Sequence, residues 1–69
     1  MEEITDSGAY LKKAREEKGL TLLEMGNASG LSESGVWRIE NRGKSMHVST
    51  FFRALKALGK KFYIKDENE

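Results

Sequence analysis

Four side chains between residues 33 and 38, in the sequence ESGVWR, carry groups suited to non-covalent recognition. Helical spacing turns Val36 inward. The side chains left on the outer side are those of Glu33, Ser34, Trp37 and Arg38. A carboxylate accepts hydrogen bonds, a guanidinium donates up to five of them, a hydroxyl does both, and an indole adds a large apolar surface. This set is suited to binding a partner through directional polar contacts.

The residue types needed for catalysis or metal binding are nearly missing. The chain has one histidine, no cysteine, no glycine-rich phosphate loop and no pair of carboxylates spaced for a catalytic cleft. A structural zinc site needs several cysteine or histidine ligands. We therefore expect no enzyme activity, no metal and no cofactor.

The formal net charge of +1 conceals an uneven distribution. All 12 lysines and arginines lie within residues 7–65, together with five of the 11 acidic residues, which leaves this segment with seven more positive than negative charges. The other acidic residues lie at the two ends. A basic body between acidic ends favours a polyanionic partner, although an ordinary solvated surface explains the same distribution.

The recognition side chains lie on the second of two short helices predicted between residues 21 and 40. Thr21, with Glu24 three residues later, forms a capping box for the first of them, and Gly30 ends it. Ser32 caps the next helix. Two short capped helices joined by a glycine-containing turn are typical of a helix-turn-helix, and an ordinary corner between two helices of a small bundle is the alternative.

Two further helices and a loop are predicted around this pair. The first helix spans residues 7–18, with Asp6 and Ser7 as competing caps. A basic loop covers residues 41–46, and a fourth helix begins near residues 47–49 and runs to Leu58. The residues predicted to face inward are Leu23, Met25 and Ala28 in the second helix, and Val48, Phe51, Phe52, Leu55 and Leu58 in the fourth. Gly26 predicts the close approach of another helix.

The C-terminal segment 60–65 changes from helical to alternating hydrophobicity, which predicts a strand. A lone strand leaves its backbone groups unpaired, and pairing with the same strand of a second copy about a two-fold axis removes that defect. Phe62, Tyr63 and Ile64 would then hold a dimer. A core built from 69 residues also gains from such a partner. The alternative is an irregular tail, and residues 66–69 form an acidic tail in either case.

Residues 8–59 resemble the Cro/CI-type, or XRE-type, helix-turn-helix domain of bacterial and phage regulators. The matching segments are LKKAREEKGLT at 11–21, ASGLS at 28–32, VWRIEN at 36–41 and FFRALKALG at 51–59. The resemblance implies an all-α, lambda-repressor-like bundle of four or five helices. It predicts a DNA-binding domain at 7–59 followed by the dimerisation strand at 60–65. The ending ALGKKFYIK is also similar to the HipB-type antitoxin subgroup, whose C-terminal strands pair across a dimer.

The resemblance assigns roles to individual residues. Arg15 and Glu40 match an arginine late in the first helix and a glutamate ending the recognition helix, which form a structural ion pair in the family. Glu33, Ser34, Gly35 and Arg38 match the positions that read bases. Leu22 stands where the family often has glutamine, and Gly35 has no side chain. Glu33 can accept from the amino group of cytosine but is repelled by phosphates. The predicted base contacts are therefore Glu33, Ser34, Trp37 and Arg38, with the last three carrying most of the reading. The indole of Trp37 is expected either on a thymine methyl or the DNA backbone, or half-buried against the fourth helix.

The predicted function is that of a dimeric transcriptional regulator, most simply a repressor, on an inverted-repeat operator. The residues predicted to contact phosphates are Thr21, Ser32, Arg42, Lys44, Ser45, His47 and Thr50. The alternative is an antitoxin-type interaction module that binds a toxin, with or without DNA binding of its own. An acidic N-terminus and the lack of a long apolar run predict a cytoplasmic protein without a membrane anchor.

Overall fold

The computed structural model describes residues 6–43, 46–61 and 63. These residues form four α-helices: α1 (Ser7–Glu17), α2 (Leu22–Ser29), α3 (Glu33–Arg42) and α4 (Val48–Ala57). The prediction of an all-α bundle is confirmed, with four helices in the described part of the chain. None of the helices within it is long and apolar enough to cross a membrane.

Side-chain caps fix where the first three helices begin. Asp6, rather than Ser7, caps α1 by accepting a hydrogen bond from the Ala9 backbone N–H. Thr21 and Glu24 form the predicted capping box of α2, in which each side chain accepts from the other residue's backbone N–H. These caps satisfy N–H groups that have no partner within a helix, and so they define the boundaries that the sequence predicts.

The turn between α2 and α3 is short because Gly30 reverses the chain in a left-handed conformation. Its φ of +75° is costly for residues with a side chain. Ser32 follows as the cap of α3, accepting from the Gly35 N–H at 2.9 Å. The two helices are therefore joined as the helix-turn-helix interpretation predicts.

One core joins all four helices. Its buried members are Leu11, Ala14, Met25, Val36, Phe51, Ala54, Leu55 and Leu58. Helix α3 packs against α1 and α2, and α4 packs against α2 and α1. The core thus lies on one side of α3 and leaves its other side accessible.

Four of the residues predicted to face inward are exposed instead. Leu23 and Ala28 lie outside the buried stripe of α2, which consists of Met25, Gly26 and Ser29 with Leu22 partly buried beside them. In α4, Val48 and Phe52 are 64% and 42% exposed, because the buried stripe runs through Phe51, Ala54, Leu55 and Leu58. Both stripes follow the three- and four-residue spacing of a helix face, and they include small residues in place of the larger apolar ones.

The predicted loop and the predicted C-terminal strand also differ from the structure. The predicted loop at 41–46 begins two residues later, because Asn41 and Arg42 complete the last turn of α3. Of the predicted strand, Phe62, Ile64 and Lys65 lie outside the described residues. Lys60, Lys61 and Tyr63 are described and are not in a strand, and Tyr63 is exposed. The dimerisation role of Phe62, Tyr63 and Ile64 therefore stays a prediction.

Candidate nucleic-acid interface

The C-terminal half of α3 is held by a buried ion pair. Arg15 Nε donates to Glu40 Oε2 at 2.7 Å, and Nη2 donates to Oε1 at 3.1 Å. The third contact of this guanidinium, which the sequence did not predict, is a 2.7 Å bond from Nη1 to the Leu20 carbonyl oxygen. One side chain thereby fixes α1, the α1–α2 turn and α3 to one another.

The environment of Arg15 keeps it charged. Its hydrogen bond to the Glu40 carboxylate raises the pKa of Arg15 above its ordinary value, and burial opposes that rise. Because two donors of Arg15 meet both oxygens of Glu40, the pair also restricts the rotation of α3 about its axis.

Two glycines bring the backbone of neighbouring elements close to α3. A Cβ atom at Gly26 would lie 2.8 Å from the Leu31 carbonyl oxygen, so α2 packs directly against the turn that leads into α3. The sequence predicted close approach of another helix at Gly26, and the approaching segment is instead this turn. A Cβ at Gly8 in α1 would overlap the carbonyl oxygens of Ile39 and Glu40. Both ends of α3 are therefore positioned by direct backbone contact.

The outer face of α3 has the composition that the sequence predicts. The exposed residues are Glu33, Ser34, Trp37, Arg38, Asn41 and Arg42. The opposite side carries the buried Val36 and Glu40 and the half-buried Ile39. The structure therefore brings the four predicted base-contacting side chains onto one accessible helix face.

The hydroxyls at the helix starts are already engaged as acceptors. Thr21 Oγ1 accepts from the Glu24 N–H at 3.1 Å, and Ser32 Oγ accepts from the Gly35 N–H. Ser34 Oγ lies 3.2 Å from Ser32 Oγ, and either atom is able to donate. A hydroxyl that accepts one bond keeps its proton, so Thr21 still has a donor for a phosphate oxygen.

Trp37 forms a contact that the sequence did not reveal. The Cζ of Arg42 lies 5.5 Å from the centroid of the indole ring, which is a cation–π arrangement. The side chain of Trp37 remains 46% exposed. The two residues are five positions apart, which is not a neighbouring pair on a regular helix surface, so periodicity gave no signal for this contact.

Two of the remaining predicted phosphate contacts lie at the start of α4. His47 is the exposed N-cap of α4 without a side-chain capping bond, and Thr50 is half-buried in its first turn. Lys44 and Ser45 lie outside the described residues. Within the described ranges, the structure contains no group of three histidine or acidic side chains that could hold a metal ion.

Comparisons with known proteins agree with this geometry. The sequence model of a helix-turn-helix domain family matches residues 7–60. No curated protein sequence matches the chain significantly.

Solved structures with the same fold include several of HipB. A HipB–O4 20-mer complex is 21% identical and covers 97% of this chain and 99% of its own, with a TM-score of 0.81. The HipB(S29A)–O2 20-mer complex is 23% identical, with 97% of each chain covered and a TM-score of 0.82. A HipA–HipB–O2–O3 complex is 21% identical, covers 97% and 99% of the two chains and has a TM-score of 0.81. At these identities the likeness establishes the fold.

Proposed function

The chain belongs to the helix-turn-helix domain family, and from that premise we propose that it is a sequence-specific DNA-binding transcriptional regulator that acts as a dimer. The observation that carries the proposal is the outer face of α3. It presents hydrogen-bonding side chains on a helix whose inner face and both ends are fixed by the rest of the fold. A helix presented in this way fits the major groove of B-form DNA.

Each exposed side chain of the first two turns of α3 has a matching group on a base edge. Arg38 is suited to a bidentate contact with O6 and N7 of guanine, which is the commonest specific contact in the major groove. Ser34 can donate to or accept from a base, and Glu33 can accept from the amino group of cytosine. The indole of Trp37 offers an apolar surface for a thymine methyl group.

Phosphate contacts would set the register of the domain on the duplex. The candidates are Thr21, Ser32, Arg42, Lys44, Ser45, His47 and Thr50. Thr21, Ser32 and His47 are N-caps, so they stand at the positive ends of α2, α3 and α4, where anions bind favourably. In this arrangement the helix starts grip the backbone while the outer face of α3 reads bases.

A two-fold dimer explains how so small a domain achieves specificity. One protomer presents only a few base-reading side chains, whereas two protomers related by a two-fold axis read an inverted repeat with half-sites about one helical turn apart. Pairing of the segments at 60–65 would supply that axis. Occupying such an operator represses transcription by excluding the polymerase.

The test is selection of bound duplexes from a random-sequence library by the full chain. We expect enrichment of an inverted repeat, and Arg38→Ala should then weaken binding to the selected duplex by about 1–3 kcal/mol and relax the preference at one base pair of each half-site. Arg53→Ala is the matched control, because Arg53 is an exposed arginine on α4 and is not part of the outer face of α3. Absence of any selected sequence at low salt would refute DNA reading. An equal loss on every sequence would make Arg38 a phosphate contact.

A second function, that of an antitoxin, is favoured by one observation. Among the similar structures is a complex in which HipB is bound together with HipA, and the likeness covers 97% of this chain. By that analogy, this protein would bind a toxin and also repress its own operon. Co-expression with the product of an adjacent gene tests this function: a stable complex that relieves growth arrest supports it, and two separately eluting, non-interacting proteins count against it.

A further inference from the structure

The contact between Trp37 and Arg42 suggests a role for Trp37 beyond that of an exposed apolar side chain. We propose that Trp37 is a positioning residue, which holds the guanidinium of Arg42 against one phosphate of the bound DNA. The inference rests on the proposed DNA-binding function and adds the specific arrangement by which the end of α3 grips the backbone.

The contact with the indole does not use up the hydrogen-bonding capacity of Arg42. The Cζ atom lies 5.5 Å from the ring centroid, within the range of an attractive cation–π contact. A guanidinium has five N–H donors, so one that lies over a ring can still form a bidentate contact with a phosphate. Both side chains are exposed, so the pair is accessible to a ligand.

Without the indole, little in the described structure would fix the direction of Arg42. It is the last residue of α3, and the negative end of the helix favours a cation there without orienting it. A long side chain at a helix end loses conformational freedom when it binds a phosphate. The contact with Trp37 removes part of that freedom before DNA arrives, which is the general advantage of preorganisation.

The position of Trp37 connects the two kinds of contact. On α3 it stands next to Arg38, one turn after Glu33 and Ser34, whereas Arg42 closes the helix. Trp37 is itself tied to the final turn, since Asn41 Nδ2 donates to its carbonyl oxygen at 2.9 Å. A phosphate gripped by Arg42 is therefore in fixed register with the bases read by the first two turns.

The first measurement uses the free protein. Trp37 is the single tryptophan of the chain, so its fluorescence reports on the pair directly. Arg42→Gln should change the emission spectrum, and Arg53→Gln, which removes the same charge from α4, should not. Identical spectra for Arg42→Gln and the wild type would overturn the pairing, whatever the protein binds. Circular dichroism verifies that each variant is folded.

The second measurement is a double-mutant cycle on a duplex that the wild-type protein selects from a random library. Arg42→Gln should flatten the slope of log affinity against log salt by about 0.9 for each phosphate that it no longer neutralises, or about 1.8 for a dimer. Trp37→Leu should also weaken binding. The double variant should lose less affinity than the product of the two single fold-losses predicts. The difference should be about two- to fivefold per protomer, which corresponds to the strength of an exposed cation–π contact. Trp37→Phe, which keeps a ring, should retain part of the coupling.

Modified DNA separates this role from base reading. A single neutral methylphosphonate at the gripped phosphate should remove the effect of Arg42→Gln and the coupling with Trp37→Leu. Replacing thymine by uracil in the same duplex removes only a methyl group. If the effect of Trp37→Leu on affinity disappears on this duplex and its coupling with Arg42→Gln is zero, the positioning role is overturned in favour of a base contact. Simple multiplication of the two single losses would overturn it as well. If the wild type selects no DNA, the proposed function fails, and the fluorescence comparison still decides whether the pair forms.

Discussion

Replacing Glu40 by leucine tests how the recognition helix is held. Glu40→Leu keeps a side chain of similar size but removes both oxygens that Arg15 contacts at 2.7 and 3.1 Å. The guanidinium then retains its bond to the Leu20 carbonyl, while Nε and Nη2 have no acceptor. The variant therefore leaves a cation at the core edge without its counter-charge.

The burial of the pair sets the size of the effect. The side chains of Arg15 and Glu40 are only 11% and 1% exposed, so water cannot take the place of the carboxylate without a structural change. Removing one partner of a buried ion pair costs about 3–5 kcal/mol. A single core in so short a chain rarely supplies more than about 3–5 kcal/mol, so Glu40→Leu should bring the domain close to half unfolded.

The double variant Arg15→Met/Glu40→Leu provides the matched comparison. It removes both charges, and replacing a buried ion pair by apolar residues is often neutral or stabilising by about 1–4 kcal/mol. Loss of the bond to the Leu20 carbonyl subtracts about 1 kcal/mol. We expect the double variant to lie within about 2 kcal/mol of the wild type, far above either single variant.

Urea unfolding followed by circular dichroism measures these free energies, at one fixed protein concentration because the proposed dimer would add to apparent stability. If Glu40→Leu is unfolded in buffer, titration with a stabilising osmolyte recovers its folding equilibrium. A loss below about 1 kcal/mol for Glu40→Leu, against the range expected for a buried pair, would refute the reasoning. So would a double variant whose loss equals the sum of the two single losses.

Three other changes give distinct outcomes. Gly26→Ala should lower the free energy of unfolding by about 1–3 kcal/mol despite alanine's better helix propensity, because its Cβ would lie 2.8 Å from the Leu31 carbonyl oxygen; Asn27→Ala, at the exposed neighbouring position of α2, should melt no lower than the wild type and is the control. The capping hydrogen bonds with Thr21 lower the pKa of Glu24 below its ordinary value, so its contribution is present above that ordinary value and is lost as the pH falls through the lowered pKa; urea titrations should show the stability difference between wild type and Glu24→Gln shrinking in acid, and a constant difference contradicts the capping role. Deleting residues 60–69 should give a monomer with weaker operator affinity, and a truncated chain that still sediments as a dimer excludes the strand as the clamp.

The sequence predicted the starts of the first three helices well because each of these starts depends on a local contact. Thr21 and Glu24, or Ser32 and the Gly35 N–H, are three residues apart, so the chemistry that fixes the boundary is contained in a few neighbouring letters. Gly30 likewise adopts its left-handed conformation at the predicted turn. Local signals of this kind survive folding because tertiary contacts do not compete with them.

The inward faces were harder to predict because residue type and helical period disagree in short helices. Leu23 looked like a core residue, but the face of α2 closest to its neighbours is occupied by Gly26 and Ser29. Ser29 satisfies its buried hydroxyl within the helix, by donating to the Met25 carbonyl oxygen at 2.7 Å. Small residues permit the close packing that defines the buried face, and large apolar residues beside it, such as Leu23 and Phe52, stay partly in water.

For the recognition face, the sequence predicted the exposed residues and missed their contacts. The exposure of Trp37 and Arg38 follows from the position of Val36. The cation–π contact of Arg42 with the indole depends on rotamers at a helix end, where spacing rules stop applying. The hydrogen bond from Arg15 to the Leu20 carbonyl oxygen could not be predicted either, because residue type does not determine the direction of a backbone carbonyl in a turn.

The division of α3 into a fixed inner side and an accessible outer side has a consequence for how this domain can diversify. The contacts that position the helix involve Val36, Glu40 and the backbone, and within the described residues none of them uses the side chains of Glu33 or Arg38. These two codons can therefore vary together with little expected change in melting temperature. Under the proposed function, a combinatorial library at these two sites would yield proteins of one scaffold with different target sequences, and gene duplication gives natural lineages the same freedom.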